Sequence, residues 1–245
     1  MFRAVALVPS PPLLVPQLTG GGASEADAVR AAALEAAAVL GRSASRWIAL
    51  GVGERAQTVA PTTRGNFRGY GVDVEVGLSP GSDSGAGFGD LDASMPLAAL
   101  IAAWLRDRTS TNAVVEARIL AEDTAPDASE RLGRELRARM DDSGENWGLI
   151  VVADGATTLT PKAPGSFDDR APGQQNAIDD ALGTADVHAL AQLDREVCRE
   201  LGVGGVPAWQ ALAGAVHGLA VVPRTLYRGS PFGVGYFVGT WESVA

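Results

Sequence analysis

Three loops carry most of the residue types that could do chemistry in this chain. Each loop follows a short apolar run that is typical of a buried strand, and ligands of α/β sheets gather at the carboxyl ends of strands. Trp209, near the start of a later helix, could form a flat ligand platform, although tryptophan is also a common core side chain. The candidate ligand-binding residues are therefore Ser10, Glu54, Asp154, Thr157, Lys162, Asp168 and Trp209.

Lys162 is the only lysine among the 20 lysine and arginine residues of the chain. A lysine is a compact charge on a flexible stem, and arginine reproduces neither property. We expect Lys162 to point into a cleft with Asp154, near Ser10 and Glu54, where the group would bind a small polar or anionic ligand. Two alternatives remain open: a structural ion pair that holds the loop, and a lysine retained by chance in an arginine-rich chain.

Other site chemistries find little support in the sequence. The two histidines, His188 and His217, have no neighbouring ligand at metal-binding spacing, and Cys198 is typical of a packed thiol. There is no Gly-x-Ser-x-Gly elbow, and the glycines at 51–53 lack the rest of a dinucleotide fingerprint. We therefore predict no metal ligand and assign no catalytic residue. An oxygen-only site for Mg²⁺ or Ca²⁺ is the alternative, formed by Glu54, Asp154, Asp168 and Asp169.

The composition excludes several classes of partner. A formal net charge of -9, without a compensating basic cluster, argues against nucleic-acid binding. No segment reaches the run of about 20 apolar residues that a membrane-spanning helix needs, and four prolines interrupt the apolar N-terminus. One cysteine fits a reducing compartment. We expect a cytoplasmic protein with a small-molecule ligand and neither a membrane nor a nucleic-acid partner; the oligomeric state is open.

The elements that must position these loops alternate along the chain. The apolar patterns predict strands at 2–8, 47–52, 72–76, 113–121, 148–153, 219–227 and 234–241. Helix patterns and capping residues predict helices at 24–40, 96–106, 127–140, 174–183, 186–201 and 207–217. The glycine-rich stretch at 81–89 is typical of a loop.

This order predicts an α/β fold, with a mixed β-sheet flanked by helices on both faces in three α/β/α layers. The final strand–turn–strand can only be antiparallel. No internal repeat or linker divides the chain, so we expect one domain over residues 1–245. In this arrangement the loops at 9–12, 53–56 and 154–169 should converge at one edge of the sheet.

Several segments together resemble a known superfamily. Residues 4–16 are similar to the opening of LigB-like proteins, where a strand leads into Pro-His-Pro-Pro or a related sequence. Asp-Gly at 154–155, Lys-Ala-Pro-Gly at 162–165, Trp-Gln at 209–210 and the segment 231–237 resemble an uncharacterised actinobacterial branch of the class III extradiol ring-cleavage dioxygenases. The resemblance spans nearly the whole chain. It implies the three-layer LigB-like fold, which Memo-like proteins share.

Active members of that superfamily hold Fe(II) with two histidines and a glutamate, and use another histidine as acid and base. Here Ser10 stands where the first histidine is expected, Gly53 or Glu54 stands near the second, and Thr157 stands near the acid/base histidine. Residues 201–214, where the glutamate is expected, contain no acidic side chain.

The resemblance thus implies a dioxygenase-like protein without the iron site, binding a small polar or anionic ligand and requiring no cofactor. Fe(II) would be needed only if the chain is an active metal-dependent dioxygenase, or another oxidoreductase, with a rewired site. A non-catalytic scaffold or regulatory protein is the remaining alternative.

Overall fold

A computed structural model describes residues 1–19, 24–81, 91–110 and 112–244. The helices are α1 (Ser24–Ser43), α2 (Leu97–Thr109), α3 (Pro126–Asp142), α4 (Ala171–Thr184), α5 (Val187–Ala191), α6 (Arg195–Glu200) and α7 (Val206–Val216). The strands are β1 (Phe2–Val8), β2 (Arg46–Gly53), β3 (Gln57–Val59), β4 (Arg64–Asn66), β5 (Glu75–Gly77), β6 (Val114–Ala121), β7 (Trp147–Val152), β8 (Val221–Gly229) and β9 (Tyr236–Ser243).

Seven strands form one mixed sheet in the order β3-β6-β2-β7-β1-β9-β8. The four central strands, β6, β2, β7 and β1, are parallel because a helix separates each from the next along the chain. The edge strand β3 runs antiparallel to β6, β9 runs antiparallel to β1, and the other edge strand, β8, runs antiparallel to β9. The expected antiparallel pair at the end of the chain is therefore present, and strands from both chain ends lie side by side.

Apolar side chains cover both faces of the sheet. Along β1, Ala4 and Ala6 belong to the core beneath α1 and α2, whereas Val5 and Leu7 belong to the core beneath α3, α4 and α7. Successive side chains of a strand point to opposite faces, so a strand buried on both sides reads as a continuous apolar run. The predicted α/β fold with a mixed sheet between two helical layers is confirmed.

Three local predictions need correction or restriction. The helix expected at 186–201 is two helices, because Asp194 accepts hydrogen bonds from the N–H groups of Glu196 and Val197 and begins α6. The strand expected at 72–76 is limited to β5, which pairs with β4 in a second, two-stranded sheet. The loop expected at 81–89 lies outside the described residues except for Gly81.

No helix of the described residues is long and apolar enough to cross a membrane.

Candidate functional site

The three candidate loops leave the sheet at the same edge. Strands β1, β2 and β7 are parallel neighbours, and each is followed directly by one of these loops. The chain continues from β1 and β2 to helices on one face of the sheet, but from β7 to α4 on the other face. Because the loop after β7 leads to the opposite face from the loops after its neighbours β1 and β2, this edge contains a topological switch point, at which α/β sheets form ligand crevices.

Ser10 and Asp154 bridge the ends of β1 and β7. The main-chain N–H of Ser10 donates to Asp154 Oδ1 at 2.7 Å, and the Ser10 hydroxyl donates to Oδ2 of the same carboxylate. Burial raises the pKa of Asp154, and these two hydrogen bonds oppose that rise. Tyr236 lies nearby, and burial together with the charge of Asp154 raises its pKa. The pair of Ser10 and Asp154 closes the gap between the two strands, and we refer to it as the Ser10–Asp154 junction.

Close main-chain packing fixes the segment that follows Asp154. Gly155 N–H donates to the oxygen of Gly235, and Gly235 N–H donates to the oxygen of Ala156, both at 2.9 Å. A Cβ atom at Gly155 would lie 2.0 Å from Gln175 Oε1, so this approach requires glycine.

Gln175 on α4 supports the same loop and was missed by the sequence reasoning. Its Oε1 accepts from Ala156 N–H at 2.8 Å, and its Nε2 donates to Asp179 at 2.7 Å. Asp179 in turn pairs with Arg228 at 3.0 Å. Burial raises the pKa of Asp179 to about 6, although Gln175 and Arg228 both act to lower it. The signal in the sequence is the pair of glycines Gly155 and Gly235, because a Cβ atom at either position would overlap with the Gln175 side chain.

Thr157 and Asp168 both contact other parts of the chain instead of facing an open cleft. Thr157 donates its N–H to the oxygen of Leu201 at 3.3 Å, and a Cβ atom at Gly202 would lie 2.0 Å from its hydroxyl oxygen. Asp168 forms an ion pair with Arg170 at 2.7 Å, and the hydrogen bonds from Arg170 lower the pKa of Asp168 to about 2. These contacts hold the loop in place.

Lys162 does not join the junction. Ala163 N–H donates to the oxygen of Thr160 at 3.0 Å, which forms a turn with Lys162 at its tip. The side chain is exposed and makes no hydrogen bond or ion pair with any described residue, so the expected pairing with Asp154 is not present. Trp209 is 3 % exposed and packs against Gly205, where a Cβ atom would lie 2.7 Å from its ring, so it is a core side chain.

Glu54 lines a separate cleft of about 780 Å³ between the end of β2, the β4 strand and the start of α2. We call it the Glu54 cleft; its polar residues are Glu54, Arg55, Gln57, Asn66, Tyr70 and Ser94, and its larger apolar residues are Val52, Met95, Pro96, Leu97 and Leu100. Ser10 and Asp154 are not among its lining residues. The single cleft expected from the sequence is thus divided into a closed junction and an open cleft.

The Glu54 cleft is lined by both polar and apolar residues. Glu54 and Arg55 are exposed, Asn66 is 9 % exposed, and burial raises the pKa of the Tyr70 phenol. The half-buried Pro96 and Leu97 supply apolar surface, whereas Met95 and Leu100 are almost fully buried. The sequence reasoning named Glu54 but not Asn66 or Tyr70, because β4, which ends at Asn66, and the 3-10 turn that contains Tyr70 were not predicted.

A second cavity of about 640 Å³ lies between the end of β6 and the start of α7. Its lining includes Glu122, Arg195, Arg199 and Gly204. Arg195 donates to the main-chain oxygen of Glu122 at 3.2 Å. Since it contains none of the candidate residues, we use this β6–α7 cavity as the internal comparison for the Glu54 cleft.

The residues at this edge do not fit the Fe(II) centre that active members of the resembled superfamily hold. Within the described ranges, no three or more His, Cys, Asp or Glu residues come together in a metal-binding group. Ser10 is bound to Asp154, Thr157 packs on Gly202, and neither side chain is an imidazole. Both His188 and His217 are exposed, away from the strand-end loops.

Comparisons with known proteins support the fold. No family model matches the chain, and no curated protein matches it. Among solved structures, the chain is similar to the uncharacterized protein JW3007 from Escherichia coli K12, with 13% identity and a TM-score of 0.55. The match covers 98% of this chain and 99% of that one. At this level of identity the likeness establishes a shared fold and nothing about activity.

Proposed function

We propose that the chain is a class III extradiol dioxygenase-like protein of LigB-like fold that lacks the iron site and binds a small polar or anionic molecule. The observation that carries the proposal is the open Glu54 cleft, where polar and apolar residues line one concave surface at the carboxyl edge of the sheet. Small-molecule sites combine apolar surface with a few placed polar groups in this way. The resemblance at residues 4–16 and 231–237 supports the choice of superfamily.

An iron-dependent reaction is the less favoured reading. Fe(II) oxygenases hold the metal with two imidazoles and a carboxylate, and Ser10 and Thr157 offer hydroxyls instead. A rewired oxygen site would have to unite Asp154, Glu54 and Asp168. Asp154 is bound by Ser10, Glu54 lines the cleft, and Asp168 is paired with Arg170.

A pure scaffold role is also less favoured. A protein that kept the fold only for partner binding would have no need of an open cleft with polar residues at its ligand-binding edge. The Glu54 cleft, about 780 Å³ in volume, is large enough for a molecule the size of a metabolite. We propose that this molecule is met in the cytoplasm, which the single cysteine supports.

Two matched glycine substitutions test the proposed function. Gly69 lines the Glu54 cleft and Gly204 lines the β6–α7 cavity, and a Cβ atom at either position meets nothing within 4 Å. A library of small polar and anionic metabolites is screened by thermal shift against wild type, Gly69→Trp and Gly204→Trp. Stabilisation by a ligand should be lost in Gly69→Trp and retained in Gly204→Trp. Equal stabilisation of both variants, or no stabilisation of wild type by any compound, would contradict the proposal.

A further inference from the structure

The N-terminus of α2 opens into the Glu54 cleft. The helix is 13 residues long, begins at Leu97 after Pro96, and has no side chain capping its first turn. Its first intrahelical bond runs from Leu100 N–H to the oxygen of Pro96, at 2.9 Å. The N–H groups that precede Leu100 in the helix therefore have no intrahelical acceptor, and the helix dipole places a partial positive charge there.

Asn66 supplies a second, independent indication of a ligand. Its Oδ1 accepts the main-chain N–H of Arg68 at 3.0 Å, which fixes the orientation of the amide. The Nδ2 group makes no hydrogen bond to any described residue, although Asn66 is only 9 % exposed and lines the cleft. This donor opens onto the cleft, where a ligand or water can accept from it.

The charges of the lining determine how many negative charges a ligand can carry. Among the described residues, Glu54 and Arg55 are the charged members of the cleft lining, and their formal charges cancel. The remaining electrostatic contribution is the partial positive charge of the α2 N-terminus, roughly half an elementary charge. This favours a single negative charge over a dianion, which Glu54 would repel.

The apolar part of the lining determines the rest of the ligand. The half-buried Pro96 and Leu97 present apolar surface, and the exposed Tyr70 adds an aromatic ring. A bare inorganic anion would leave this surface in contact with water, whereas a ring or hydrocarbon body would cover it. The cleft therefore combines an anion-binding end with an apolar remainder.

We propose that the Glu54 cleft binds an organic monocarboxylate, whose carboxylate accepts from Asn66 Nδ2 and the first-turn N–H groups of α2 while its apolar body covers Pro96 and Leu97. Arg55 supplies a further cation for the same carboxylate. This inference rests on the proposed ligand-binding function and adds the chemical class of the ligand.

The test compares three probes by calorimetric titration of the full-length protein. Benzoate carries both parts of the proposed ligand, benzyl alcohol is its neutral counterpart, and inorganic phosphate has no apolar body. Charge-assisted hydrogen bonds should make benzoate bind wild type about tenfold more tightly than benzyl alcohol. Phosphate should bind more weakly than benzoate. Benzoate that binds no more tightly than benzyl alcohol, or less tightly than phosphate, would overturn the proposal.

Two matched substitutions locate the carboxylate. Asn66→Asp keeps the acceptor for Arg68 N–H but replaces the free donor with a negative charge, so benzoate affinity should fall about tenfold or more while benzyl alcohol affinity holds. Asn112→Asp makes the same change of charge at an exposed position beyond the opposite end of α2, and should leave both affinities unchanged. Equal benzoate binding by wild type and Asn66→Asp would overturn the proposal, as would equal weakening by both variants.

A third substitution keeps the test informative if Asn66→Asp does not fold. The outcomes also distinguish the monocarboxylate inference from the proposed ligand-binding function. Arg55→Gln changes an exposed side chain, so the variant should fold. It should lower the affinity for benzoate several-fold relative to the affinity for benzyl alcohol. An unchanged preference for benzoate would overturn the role of Arg55. If benzyl alcohol binds wild type but not Gly69→Trp, and benzoate has no advantage, the monocarboxylate inference fails while the ligand-binding function stands. If the metabolite library also yields no ligand for the cleft, both fail.

Discussion

Ser10 holds Asp154 with two hydrogen bonds across the ends of β1 and β7, one from its main-chain N–H at 2.7 Å and one from its hydroxyl. Serine here occupies the position where the resemblance to ring-cleavage dioxygenases expects a metal-binding histidine. The carboxylate that faces it is engaged by protein donors. The switch point between these two strands is therefore closed by the chain itself, and the open cleft lies one strand away, at the end of β2.

Removal of the Ser10 hydroxyl should destabilise the fold. Ser10→Ala leaves one oxygen of a half-buried carboxylate without its donor, which should lower the free energy of unfolding by about 1–2 kcal/mol. Urea denaturation measures the change. Ser94→Ala is the matched control, because Ser94 donates to Asp92 at 2.7 Å on the exposed surface, and it should cost less than about 0.5 kcal/mol. Similar losses in both variants would show that the Ser10–Asp154 junction has no special role in stability.

Asp179 should make the stability depend on pH. Burial raises its pKa from 3.8 to about 6 in the folded state, so the native protein binds the proton more tightly than the unfolded chain. Stability should therefore fall as the pH rises from about 4 to 6, by at most about 3 kcal/mol, and stay at the lower level above that range.

Asp179→Asn isolates this contribution. Asparagine can still accept from Gln175 but cannot ionise, so the difference in unfolding free energy between wild type and variant should change across pH 4–6 and be flat above about pH 7. Urea denaturation of both proteins at a series of pH values measures it. A difference that stays constant over the whole range would contradict the raised pKa.

Lys162 should be replaceable without loss of stability. Its side chain is exposed at the tip of a turn and has no partner among the described residues. Lys162→Arg and Lys162→Ala should both change the free energy of unfolding by less than about 0.5 kcal/mol, measured by urea denaturation. A loss well above 1 kcal/mol in the alanine variant would instead support the structural ion pair, which the sequence left open as an alternative.

The proposed absence of the iron site predicts no ring cleavage. After anaerobic incubation with Fe(II) and removal of free metal, the protein should retain less than stoichiometric iron by elemental analysis. Oxygen uptake with protocatechuate and related catechols should equal that of a protein-free blank. Stoichiometric iron together with catechol-dependent oxygen uptake would establish the alternative of a rewired oxidoreductase.

The sequence was sufficient to predict the central architecture. Strands such as β1 and β7 are continuous apolar runs buried on both faces, and this pattern has few alternative readings. The short strands β3 and β4 were not predicted, because three residues carry too little periodicity to indicate a strand. The break between α5 and α6 was also missed, since it depends on Asp194 acting as a cap within an otherwise helical pattern.

The candidate site was predictable only in part. The shared edge of the loops with Ser10, Glu54 and Asp154 follows from the parallel strands, and this could be derived from strand order. The roles of Asn66 and Gln175 could not, because both depend on contacts between elements that are distant in sequence or were not predicted. Lys162 was chosen for its rarity, and composition contains no information about where a turn will place a side chain.

The central claim is that the Glu54 cleft is where this protein binds its ligand. The most direct measurement is a titration of isotopically labelled protein with benzoate, or with the strongest ligand from the metabolite screen, followed by amide NMR. Shifts should concentrate on the Asn66 side-chain amide, on residues 53–57 and on the first turn of α2, and should vanish in Gly69→Trp. Shifts centred on residues 202–207 of the β6–α7 cavity, or on Ser10 and Asp154, would contradict the account.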